Sequence, residues 1–255
     1  MNSWTITSAR RPDDSVGRAD QAPPVALAWF AAIVAGLASG AVLGWWCRAS
    51  AESRSVSGVL ADLGAPWIAT AFAAGALARL MSAGRRPSDG VSNAVGSAVA
   101  GALAGAICLV VATGVYYGPA RTGRLDVSGA GSSTVVWSVV GAGIGVLFGA
   151  VGALWWSAPT RRQAAACLVA VGTAITAEAY YLLDSGVASD LLVRNVLVGV
   201  AVAGAAVPML LGLRWHAVAG IGLVALFALP ASLAAEVVSI GALDSIDHLR
   251  WYLSR

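Results

Sequence analysis

The sequence contains no lysine, and it carries little charge of either sign. Only 11% of its 255 residues are charged and 58% are hydrophobic, whereas a soluble domain has about a quarter of its residues charged. A composition this poor in charge cannot cover a water-exposed surface, so a membrane protein is expected. The net charge of +3 rests entirely on sixteen arginines. Their meaning lies in their placement between apolar runs, and no nucleic-acid partner is implied.

Cysteine is scarce and unpatterned. Cys47, Cys108 and Cys167 have no metal-ligand spacing, and an odd, unpaired set argues against a disulfide framework. Two of them, Cys108 and Cys167, lie in apolar runs where a thiol acts as a small hydrophobe. Only two histidines occur, His216 and His248, and the topology below puts them on opposite sides of the membrane. A serine elbow, a metalloprotease helix and paired intramembrane aspartates are all missing, and no loop is long enough to be a domain. No enzyme activity, metal or cofactor is therefore expected.

What is present is a series of long apolar runs. A helix needs about 20 such residues to cross the ~30 Å hydrocarbon layer. Seven runs qualify, at 25–46, 64–83, 92–117, 134–156, 164–183, 191–213 and 217–240. The last two are separated only by Arg214, Trp215 and His216, so six or seven helices are predicted. The expected fold is an all-α, polytopic transmembrane bundle. Residues 1–24 form a polar arm, 25–240 the membrane domain and 241–255 a short polar tail. The arm lacks the apolar core of a cleavable signal, so the first helix is expected to be an uncleaved anchor.

Arginine placement orients the bundle. Arg10, Arg11, Arg18, Arg85, Arg86, Arg161, Arg162 and Arg214 fall on one side, and the positive-inside rule makes it cytoplasmic. Arg48, Arg54, Arg121 and Arg124 fall on the other. The reading is a multi-pass protein of a bacterial cytoplasmic membrane with its N-terminus inside. Tryptophans and tyrosines cluster near both predicted boundaries, where amphipathic rings prefer to lie.

Glycines recur at steps of four. Gly36, Gly40 and Gly44 share a face of the first run, Gly101 and Gly105 of the third, and Gly141, Gly145 and Gly149 of the fourth. Helices in lipid gain no hydrophobic effect by associating, so close backbone approach must hold them. These stripes are predicted to be the helix seams. The run "GAGIGVLFG" at 141–149 lacks the soluble strand and the lysine of a nucleotide loop. Arg79, near the inner end of its run, is expected to snorkel to the headgroups. Pro208 and Pro230 read as ordinary kinks.

Against this background two acids stand out. Glu178 lies in "TAITAEAYYLLDSG" and Glu236 in "PASLAAEVVSI", both predicted at similar depth toward the outer side. An ionisable group at the centre of a membrane helix costs about 2.5–3.5 kcal/mol on insertion scales, and less near the interface. Thr173, Thr176, Tyr180 and Asp184 form one polar stripe of their helix, while Glu178, Tyr181 and Ser185 share another face. A helix polar on two faces is expected inside the bundle. Ser232, Glu236 and Ser239 also share a face. An outward cavity lined by Glu178, Glu236, Tyr117, Tyr181 and Trp67 would bind a cation, an amine or a proton. The competing account has each acid meeting water, or pairing with a tyrosine or Arg194 to lock two helices.

The segments at 58–79, 101–117, 141–156 and 174–183 resemble a domain-of-unknown-function family of small polytopic membrane proteins from high-GC bacteria. The resemblance spans roughly residues 56–213, and Gly-Ala-Pro-Trp at 64–67, Tyr-Tyr at 116–117 and Ala-Glu at 177–178 carry most of it. It implies class and topology but no activity. The functional expectation is a small-solute carrier or transporter membrane subunit. Its rival is a non-enzymatic interaction protein, packed by its glycine seams into an oligomer or onto a partner subunit. A membrane subunit of an energy-coupled importer would combine the two. The lipid bilayer is a partner in every case.

Overall fold

A computed structural model describes residues 25–51, 53, 55–82, 91–118, 127–184 and 190–212. The polar arm, the run at 217–240 with Glu236, and the tail lie outside these residues. Every regular element among the described residues is helical. These are α1 (Val25–Ser50), α2 (Val56–Ala61), α3 (Gly64–Ser82), α4 (Val91–Tyr117), α5 (Val127–Trp156), α6 (Arg161–Asp184) and α7 (Leu191–Gly212).

Six of these helices overlie the first six apolar runs. Segments Ala26–Ser50, Ala94–Tyr117, Thr134–Trp156 and Arg161–Asp184 are long and apolar enough to cross a membrane, and Leu191–Ala206 is a shorter apolar helix. Their outward faces suit hydrocarbon. Phe30, Val42 and Trp45 on α1 are 64%, 66% and 67% exposed, and Val139 on α5 is 69% exposed. Helix α2 was not anticipated. Its six residues are too few to cross a bilayer, and they make a shelf between α1 and α3. Helix α5 begins at Val127, ahead of the apolar run at 134, because 127–133 holds polar residues but no proline to stop a helix.

The main core joins α1, α3, α4 and α5 and is built largely of alanine. Ala32, Ala35, Ala71, Ala74, Ala78, Ala100, Ala104 and Ala112 are buried there, with Leu43, Leu109 and Phe148. Side chains this small let backbones meet. A Cβ on Gly36 would lie 2.6 Å from the Ala104 carbonyl oxygen, and one on Gly44 would lie 2.5 Å from that of Ala112. Gly40 faces the Cys108 backbone between them. The numbers rise together, so α1 and α4 run parallel. Gly101 meets Gly149 and Ala153, and Gly105 meets Gly145 and Gly149, so α4 and α5 run antiparallel. Gly75 of α3 faces Gly149, and Gly152 faces Phe72. Gly141 is looser, its Cβ position 3.4 Å from Leu109.

Helices α6 and α7 form a second, antiparallel pair. Gly204 faces Gly172, Ile175 and Thr176, and the Thr176 hydroxyl donates to the Ala201 carbonyl at 3.3 Å. This hairpin joins the main core partly through Val171 and Ala174. At one end it has its own cluster, where Ala179, Val196 and Leu197 pack with Leu63 and Ala65.

Candidate functional site

Glu178 lies where that second cluster meets the start of α3. A helix begins with backbone N–H groups that have no partner inside it. In this chain the first turn is disposed of group by group. The Leu63 N–H donates to the Leu60 carbonyl at 3.2 Å, closing α2. The Gly64 N–H donates to Glu178 Oε1, and the Ala65 N–H also bears on that carboxylate. Pro66 has no N–H to satisfy, and its ring suits the first helical turn. Glu178 on α6 is thus a helix cap delivered from elsewhere in the chain, with its negative charge at the positive end of α3.

Glycine is what admits it. A Cβ at position 64 would stand 2.9 Å from Glu178 Oε1 and 3.2 Å from both Cδ and Oε2. Oε2 is buried and has no hydrogen-bond partner among the described residues. The same is true of Nε of Arg79, far along α3 and half-buried.

Other predicted site residues gather beside this cap rather than on it. The Trp67 ring meets Tyr116 edge-on at 6.1 Å, and Tyr116 meets Tyr117 edge-on at 4.8 Å. The Tyr116 hydroxyl donates to Asp62 Oδ1 at 3.3 Å. Trp67 and Tyr117 are therefore linked through Tyr116, with Asp62 at the end of α2 completing the group. Tyr181 is half-buried one turn beyond Glu178. Glu236 lies outside the described residues.

The predicted polar stripe of α6 divides along its length. Thr173 is buried, Thr176 is spent on the Ala201 carbonyl, and Tyr180 and Asp184 are exposed. A groove of about 440 Å³ lies elsewhere, between α1 and α3. It is lined by Ala38, Val42, Leu43, Trp46, Pro66 and Thr70 among others. The Thr70 hydroxyl is already bonded to the Pro66 carbonyl at 2.7 Å, so the groove offers mostly apolar surface.

Sequence reasoning missed Gly64, Ala65 and Asp62 as partners of the site. The signal was available in part. A proline two residues after a glycine marks a helix start, and a helix start supplies the donors that an apolar setting denies a carboxylate. Comparison with protein-family models, with curated proteins and with solved structures gives no match to this chain.

Proposed function

We propose that the chain is a non-enzymatic structural or interaction protein of a bacterial cytoplasmic membrane. It crosses the bilayer with six or seven helices, its N-terminus inside, and works as a homo-oligomer or as a subunit held by a partner. Four membrane-length helices support this reading. So do the seam directions, since α1 and α4 run parallel while α4 and α5, and α6 and α7, run antiparallel. Alternating crossings by α1, α3, α4, α5, α6 and α7 require that order. The resemblance to small polytopic proteins of high-GC bacteria fits the same picture.

One observation carries the choice against a carrier. The carboxylate that would bind solute accepts its hydrogen bond from the start of α3, and its role there is to join α6 to α3. The carrier reading keeps one support, the unpartnered Oε2 beside Trp67, Tyr116, Tyr117 and Asp62. On that reading Glu178 and Glu236 bind a cation or an amine, with Trp67, Tyr117 and Tyr181 around it.

Purification in mild detergent followed by native mass spectrometry, on wild type and Glu178→Gln, separates the two. The interaction reading expects an oligomer or a stoichiometric protein partner in both samples. A small molecule bound to wild type and lost from Glu178→Gln would reject it in favour of the carrier.

A further inference from the structure

Helix α7 presents a face that no described residue covers. Leu191, Val198 and Val202 are 71%, 47% and 60% exposed. Arg194 and Asn195 are exposed as well, and a Cβ on Gly199 would meet nothing within 4 Å. Steps of three and four connect these positions into one stripe. The other side of α7 is occupied, with Val196 and Leu197 in the cluster beside α3, and Gly204 against α6.

We propose that residues 217–240 form a helix antiparallel to α7 and cover this face, with Glu236 paired to Arg194. Three observations converge on this occupant. The first is where α7 ends. Gly212 closes it, and only residues 213–216 separate it from the next apolar run. A connection that short makes antiparallel neighbours.

The second is depth. Arg194 lies 18 residues before Gly212, and Glu236 lies 19 after Ala217. The two fall level to within one residue, about 1.5 Å of helix rise. Val198, 14 before, is likewise level with Ser232, 15 after; Leu191, 21 before, is level with Ser239, 22 after. Ser232, Glu236 and Ser239 share one face of their run, and their three counterparts share the open stripe of α7.

The third is charge. No ion pair joins the Arg194 guanidinium to another described residue, and Asp190, one turn away, is engaged with the Leu192 N–H at 2.9 Å. An arginine and a glutamate in apolar helices each need a partner, and each supplies the other's. Covering the stripe puts both charges between the helices, and Ser232 and Ser239 with them. The proposal is independent of whether the bundle holds a solute or a partner subunit.

The test uses the full chain in native membranes, with added cysteines and mild oxidation read by loss of maleimide labelling. The wild-type chain, which keeps its own three cysteines, serves as background. Because a disulfide needs Cα atoms within about 7 Å, Val198→Cys with Ser232→Cys should cross-link roughly fivefold more than Val198→Cys with Ala234→Cys. Ala234 lies at similar depth on the far face of the run. Equal or absent cross-linking in the two pairs would overturn the proposal. Disulfide-linked dimers from Val198→Cys alone would overturn it too, by assigning the face to a second copy.

Charge reversal tests the ion pair separately. Arg194→Glu and Glu236→Arg should each lower the melting temperature by about 2–4 °C, and combining them should restore most of the loss. Additive losses in the combined variant would remove the pair.

Discussion

The main core and the α6–α7 hairpin are both helix pairs in one small protein, yet they hold together by different means. In the core, Gly36, Gly40, Gly44, Gly101, Gly105, Gly145 and Gly149 bring backbone against backbone. Contact there depends on atoms that are missing. The hairpin meets the rest of the molecule through Leu63, Leu182, Leu183, Val196 and Leu197, and through single polar contacts such as Glu178 with Gly64. Contact there depends on atoms that are present. In lipid, where association brings no hydrophobic gain, close fit and hydrogen bonds remain as the available forces. This chain uses the first for one region and both for the other.

The comparison predicts opposite responses to added and removed atoms. The largest effect is expected from Gly40→Leu or Gly145→Leu, which drive a side chain into the Cys108 or Gly105 backbone. Overpacking costs about 1–3 kcal/mol or more even where side chains can yield, so folded protein should be lost from detergent gel filtration. Gly143→Ala, at a position with open space around it, should leave stability unchanged or raise it. Equal damage from both kinds of change would dissolve the distinction between the regions.

Removal should hurt the hairpin next. Leu197 is 1% exposed, and Leu197→Ala is expected to cost about 2–5 kcal/mol, measured by thermal unfolding. Hydrogen exchange should then rise in α6 and α7 before it rises in the α1–α4 seam. Glu178→Ala comes third, at about 1–2 kcal/mol for a lost cap, and Glu178→Gln should keep most of that because its amide oxygen still accepts from Gly64. Gly64→Ala should resemble Glu178→Ala, since its Cβ displaces the carboxylate. If Gly64→Ala is silent, the cap contributes nothing. The smallest effect belongs to Thr176→Val, about 0.6 kcal/mol for an interhelical hydrogen bond in a membrane.

Much of the helical layout was readable from the sequence, because a twenty-residue apolar run in a charge-poor chain has few other uses. Helix α2 was not, since six residues between longer helices carry no periodic signal. The pairing of helices was out of reach for a related reason. A glycine stripe says that something approaches closely, but Gly36 gives no indication that its neighbour is Ala104. The site divides the same way. Glu178 was conspicuous as an acid in an apolar run, whereas its partner is a backbone N–H, which every residue but proline possesses. Trp67, Tyr117 and Tyr181 were grouped with it by depth alone. Depth places residues in a layer and leaves open which of them touch.

The α1–α4 seam has one more consequence. Its contacts repeat every four residues on both helices, glycine on one and Ala104, Cys108 and Ala112 on the other. Like a toothed rack, it would engage almost as well if α1 were displaced by four residues, about 6 Å. The opposite edge of α4 is not periodic in this way, because shifting it along α5 in one direction brings Leu109 toward the place Gly105 holds against Gly145. Helix α4 is therefore indexed by α5, and the setting of α1 must be selected by its other neighbour, α3.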